Sequence, residues 1–116
     1  MRFAYMKERD KQLIDYINKH YSELVEELKL VKDFEEFCSN KPVNKAIKLD
    51  LLQIGENINH LTDESKLQLN KKDLLGVIRV RNHVAHGYVT IEEEETIWST
   101  ISEDLPKLIE QVNSIK

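Results

Sequence analysis

Ile47, Leu51, Ile54, Ile58 and Leu61 recur at steps of four, three, four and three. That repeat lays one continuous apolar stripe along an α-helix, and no strand can bury it on a single face. Two other segments carry the same signal. Leu13, Ile17, Tyr21, Leu24 and Leu28 mark a helix from about Lys7 to Leu30, and Ile97, Ile101, Leu105, Leu108 and Val112, with Trp98 beside them, mark the last one. A fourth segment carries Leu74, Leu75, Val77 and Ile78. Only three Gly and two Pro interrupt 116 residues, so helices joined by short loops are expected. The fold class predicted is all-α: one domain, residues 1–116, an antiparallel bundle of four main helices with one or two short extra ones.

Capping residues set the boundaries. Asp33 with Glu36 opens a short helix through Phe34, Phe37 and Cys38, and Pro42 suits the first turn of the next. "TDES" caps a short piece around Leu67 and Leu69, and Asn70 with Asp73 opens the fourth segment. Gly87 is its natural stop, after which Thr90 and Glu93 form a capping box whose acids, Glu92 to Glu95, match the helix dipole. Pro106 lies inside the last helix and should kink or restart it. Ala46 and Gly55 flank the central stripe; Gly55 weakens its helix, which suggests that another helix packs close there.

Seventeen Lys and Arg against twenty-one Asp and Glu give a formal charge of −4, which argues against high-affinity nonspecific nucleic-acid binding but leaves room for a small local basic site. Cys38 is alone, which excludes an intrachain disulfide and suits a reducing cytosol. The opening "MRFAYMKERD" lacks the apolar core of a signal peptide, and no apolar run approaches the roughly 20 residues of a membrane span. A cytoplasmic protein without a membrane partner is the expectation.

"RNHVAHGY", residues 81 to 88, gathers a guanidinium, an amide, two imidazoles and a phenol. Arg81 and His86 are five residues apart, about 140° round a regular helix, and so face differently. A site made of both needs either a broken last turn or a second copy of the chain. Arg79, His83 and His86 do share a face, as do Arg81 and Tyr88. Three readings of these residues stay open. The imidazoles can simply complement a helix C-terminus, with Tyr88 a half-buried rim residue. His83 and His86 can reach one metal ion, although the nearest acids, Glu92 onward, belong to the following cap rather than to a third ligand position. Or the group can cleave RNA without metal: an imidazole as base or acid, a guanidinium on the phosphorane, and Asn82 holding a substrate oxygen. A Cys–His nucleophile is weaker, because Cys38 reads as core.

Arg81, four residues, His86, one residue and Tyr88 resembles the motif of the HepT-like toxins of the HEPN superfamily. "LLQIGENINHL" at 51–61 is similar to that family's Ile-Gly-Glu segment, and "DFEEFCSN", "GVIRVRNHVAHGY" and "EDLPKLIEQV" fall in the family's order. Val84-Ala85, Gly87 and the missing Ile-Pro-Trp lead-in depart from the common pattern without removing a reactive group. The resemblance implies a HEPN-like homodimer with two motifs in one cleft. It implies a metal-independent endoribonuclease toxin of a type II or type VII-like pair, acting on RNA and using no cofactor of its own. Its partner would be a minimal nucleotidyltransferase antitoxin that uses ATP. By position, Arg81 and His86 are catalytic, Asn82 and His83 supporting, and Tyr88 the residue that receives AMP. The competing reading is a non-catalytic helical subunit that binds nucleotide or docks the nucleotidyltransferase.

Overall fold

In the computed structural model, residues 7–87 and 89–116 are described. Helix α1 (Glu8–Leu28) runs beside α3 (Lys41–Asn59), and this is the most extensive packing between any two helices. The central stripe behaves as its spacing predicts: Ile47, Leu51, Ile54 and Ile58 are completely buried, and Leu61 almost so. On α1 the buried line is Asp10, Ile14, Ile17 and Leu24, whereas Leu13, Tyr21 and Leu28 only lean on the core. The expected stripe was therefore off by part of a turn. A single helix's periodicity fixes the width of an apolar face but not its centre, which the partner helix sets.

Helix α2 (Phe34–Ser39) begins where Asp33 accepts a hydrogen bond from the Glu36 N–H. It places Phe37 against Trp98 with ring centroids 5.1 Å apart. Helix α3 starts on Asn40, with Pro42 in its first turn. Thr62 caps α4 (Asp63–Lys66), and Asn70 caps α5 (Lys71–Ala85). Leu69 is buried behind α4, but Leu67 is 84% exposed. On α5 the core residues are Val77 and Val80, and Leu75 is left largely in solvent. Residues at 74, 75, 77 and 78 span too much of a helix circumference to bury together.

The Thr90–Glu93 capping box forms as expected and opens α6 (Ile91–Ser99). A π-helical turn at Thr100–Asp104 follows, and α7 (Leu105–Asn113) resumes with Pro106 in its first turn. Proline has no N–H to donate and its ring crowds the carbonyl four residues back, so the ladder opens before the proline and restarts at it. Helix α6, the π turn and α7 together make one bent element that buries Ile97, Ile101, Leu105, Leu108 and Val112. With α1, α3 and α5 it forms the four main members of the bundle, and α2 and α4 are the two short additions. No described helix is long and apolar enough to cross a membrane.

Two buried polar knots fix the register of these helices. Asp10 of α1 accepts hydrogen bonds from Thr62 N (3.1 Å), Thr62 Oγ1 (2.6 Å) and Ser65 Oγ (2.7 Å), tying α1 to the start of α4. Burial alone would raise its pKa. The hydrogen bonds from Ser65 and Thr62 outweigh that and hold the carboxyl below its ordinary value. At the other knot His20 Nδ1 lies 3.0 Å from Asp50 Oδ1 across α1 and α3. Burial, a hydrogen bond with Asp50 and the charges of Asp50 and Glu23 push the neighbouring Glu27 up to about 7.

Candidate functional site

Helices α3 and α5 meet closest at Gly55. A Cβ built there would lie 2.7 Å from both Cβ and Cγ of Arg81, well inside the roughly 3.5 Å at which carbon atoms first touch comfortably. The missing side chain lets the stem of Arg81 lie directly on the backbone of α3. Close packing was the expectation at Gly55, and Arg81 is what packs.

From that contact the guanidinium turns to the next residue along α3. Its Nη2 forms an ion pair with Glu56 Oε1, and its Nη1 donates to Asn82 Oδ1 at 2.7 Å. Arg81 Nε is buried without a hydrogen-bond partner. His60, at the end of α3, brings Nε2 to 3.7 Å from Glu56 Oε2. Arg81 is therefore pinned in a fixed, half-buried position with Asn82 beside it. Sequence reasoning gave Glu56 and His60 no role. A glycine-glutamate pair beside a buried stripe was the available signal, but only the fold shows which cation it meets.

The imidazoles face another way. His83 Nδ1 stands 2.7 Å from Glu93 Oε2, and the His86 ring lies edge-on to His83 with centroids 6.2 Å apart. His86 is exposed at the end of α5. Glu93 accepts from Thr90 N and Thr90 Oγ1 through its other oxygen. The Thr90 N–H bond chiefly holds the Glu93 carboxyl below its ordinary value, and the nearby imidazoles pull the same way. The expectation that the acids of this cap stand apart from the histidine pair is corrected here. Gly87, at φ +81°, reverses the chain immediately after α5 and returns the first turn of α6 to it.

Backbone geometry runs helical through His86, whose φ is −67° and ψ −25° and whose N–H still reaches the Asn82 carbonyl at 3.3 Å. The broken last turn is thus not used. The fold groups Arg81 with Asn82 and Glu56, and groups His86 with His83 and Glu93. It does not join Arg81 to His86 within one chain. Tyr88 lies outside the described residues.

The surroundings of the motif are less acidic than the sequence suggests. Glu94 pairs with Lys48 and accepts from Asn44 Nδ2 at 3.0 Å, so its charge is met internally, and the Glu93 carboxylate is held by Thr90. Lys71, Lys72, Leu75, Gly76 and Arg79 line a shallow open depression of about 580 Å³ on α5. Lys72, Arg79 and His86 are seven residues apart and form one stripe running to the motif. Cys38 packs against the core; burial, then the charge of Glu94, raises its thiol pKa, which disfavours a nucleophilic thiolate. Among the described residues, the donor sets on offer to a metal ion are His83, His86 and Glu93, and His20, Glu23 and Asp50, each with ligand atoms within 4.8 Å of one another.

The all-α bundle, with Arg81 and His86 five residues apart at the end of one helix, is consistent with the HEPN-like fold that the sequence motif resembles. The profile of the ribonuclease HepT-like family matches residues 17–115, and the chain belongs to that family. Two curated proteins designated "Putative RNase" are similar to it. One, from Caldanaerobacter subterraneus subsp. tengcongensis, is 26% identical over 88% of this chain and 89% of its own length. The other, from Methanocaldococcus jannaschii, is 28% identical over 71% of this chain and 67% of its own. No solved structure gives a significant match.

Proposed function

We infer that this chain is an endoribonuclease that cleaves RNA without a metal ion, at a cleft formed by two copies of α5. The observation that carries the reading is the split of the motif over a regular helix end. Arg81 is fixed against α3, and His86 is exposed at the end of α5 beside His83. A two-fold axis beside α5 would set the arginine of one copy near the histidine of the other. Membership in a ribonuclease family and the "RNase" designation of both relatives support the same chemistry.

In this reading an imidazole of His86 takes or returns the proton of the 2′-hydroxyl or the leaving 5′-oxygen. Arg81 meets the phosphorane oxygens through N–H groups left over from Glu56. Asn82 and His83 are supporting residues, the first orienting the guanidinium and the second standing beside His86. Lys72 and Arg79 supply positive charge along the approach. The partner is a minimal nucleotidyltransferase antitoxin that uses ATP to place AMP on Tyr88, adding phosphate charge to the motif that would bind RNA. The protein acts in the cytoplasm as the toxin of that pair.

The test is RNA cleavage in excess chelator by wild type, Arg81→Ala and His86→Ala, with the mass of the dimer measured alongside. Either substitution should lower the rate on the order of a hundredfold or more and leave 2′,3′-cyclic ends in what remains. Full activity in both variants, or a wild type that is only monomeric, would leave the non-catalytic partner-binding subunit as the better reading.

A further inference from the structure

We propose that His83, His86 and Glu93 form a binding site for a first-row divalent transition ion of the zinc class, and that its occupation silences the nuclease. Two imidazoles and one carboxylate are the donors such ions select over magnesium or calcium, which prefer all-oxygen cages. The three offer ligand atoms within 4.8 Å of one another. Ligands about 2.0–2.1 Å from a tetrahedral ion stand roughly 3.3 Å apart, so the ligand outside the close His83–Glu93 pair must draw in modestly. The side chain able to do this is His86, which is exposed at a helix end. His83 Nδ1 and Glu93 Oε2 are already neighbours at 2.7 Å and need only part by about half an ångström to admit the ion.

The fold has also prepared the carboxylate. Glu93 Oε1 is used by Thr90 in the capping box, which fixes the side chain and leaves Oε2 directed at the imidazoles. That is the outer-shell support a metal-bound carboxylate normally has. On binding, the Nδ1 of His83 must be free of its proton, which goes to solvent from a protonated ring or to Nε2 by tautomer exchange in a neutral one. A ring nitrogen of each histidine then donates a lone pair to the ion. A ligating His86 nitrogen can no longer accept or return a proton. Inhibition follows from the proposed role of His86, but metal binding itself does not rest on that role.

The experiment titrates the full chain, without RNA, with zinc by calorimetry and with cobalt by visible absorption. One ion per chain should bind with micromolar or tighter affinity and give the intense bands of a four-coordinate site. His86→Ala, His83→Ala and Glu93→Gln should each weaken binding on the order of tenfold or more. His20→Ala, which alters the other candidate donor set, should leave it unchanged. The Glu93 variant also perturbs a helix cap, so exposed His86 is the decisive position. Binding that is undiminished in His86→Ala, equally lost in His20→Ala, or only millimolar in wild type overturns the site. Where RNA cleavage is measurable, zinc should suppress it and chelator restore it. If cleavage is never detected the proposed activity fails, and the titration still decides the metal site.

Discussion

Gly55→Ala isolates the contact on which the arginine depends. Replacing glycine by alanine in a helix interior normally stabilises by about 1 kcal/mol. Here the new methyl would lie 2.7 Å from Cβ and Cγ of Arg81. Rotation of χ1 can move Cγ away, but Cβ is attached to the backbone, so α3 and α5 must part by roughly 1 Å to restore normal carbon contact. Such overpacking destabilises by about 1–3 kcal/mol, and the net expectation is a loss of about 0–2 kcal/mol. Gly76→Ala supplies the reference. Its methyl would meet only Asp104 Oδ2, at 3.4 Å, so the helix-propensity gain should survive. The two variants should therefore differ by about 1–3 kcal/mol, or roughly 4–12 °C in Tm by thermal unfolding. Because Arg81 rides on the displaced contact, Gly55→Ala should also slow RNA cleavage on the order of a hundredfold, as expected for a 1 Å misplacement of a positioning group. A Gly55→Ala protein as stable as Gly76→Ala would refute the argument that α3 and α5 are held at the distance described.

Glu27→Gln tests the carboxyl pair between α1 and α3. The folded pKa of Glu27 is raised from 4.5 to about 7, so native stability present below the unfolded value is lost as pH climbs through this window. With solvent screening discounted, that loss is about 1–2 kcal/mol. Urea unfolding from pH 4.5 to 7.5 should show a decline in wild type that the Gln variant lacks, and parallel curves would contradict it. Asp10→Asn should destabilise by about 1.5–3 kcal/mol, since a charged acceptor of three hydrogen bonds is lost. The folded pKa of Asp10 is depressed, so its contribution is present above the unfolded value and falls away as pH drops through the folded one. The difference between Asp10→Asn and wild type should shrink in acid.

The apolar stripes of α3 and of the last helix, the caps at Asp33, Asn70 and Thr90, and the interruption before Pro106 were all legible in the sequence. They depend on neighbours within one or two turns, and a residue's spacing along the chain states those directly. The five-residue offset between Arg81 and His86 was legible for the same reason, and in the structure Arg81 lies with Glu56 while His86 lies beside His83. What the sequence left undecided is every partnership between helices. Ile14 rather than Leu13 faces the core, Asp10 is buried under Thr62 and Ser65, and Arg81 finds Glu56 rather than another acid. Glu93 reaches His83 because one glycine at positive φ turns the chain back on α5. Periodicity gives the faces a helix owns. The rotation and height at which two faces meet are settled only when all the helices pack at once, and the chemistry of this site lies in those meetings.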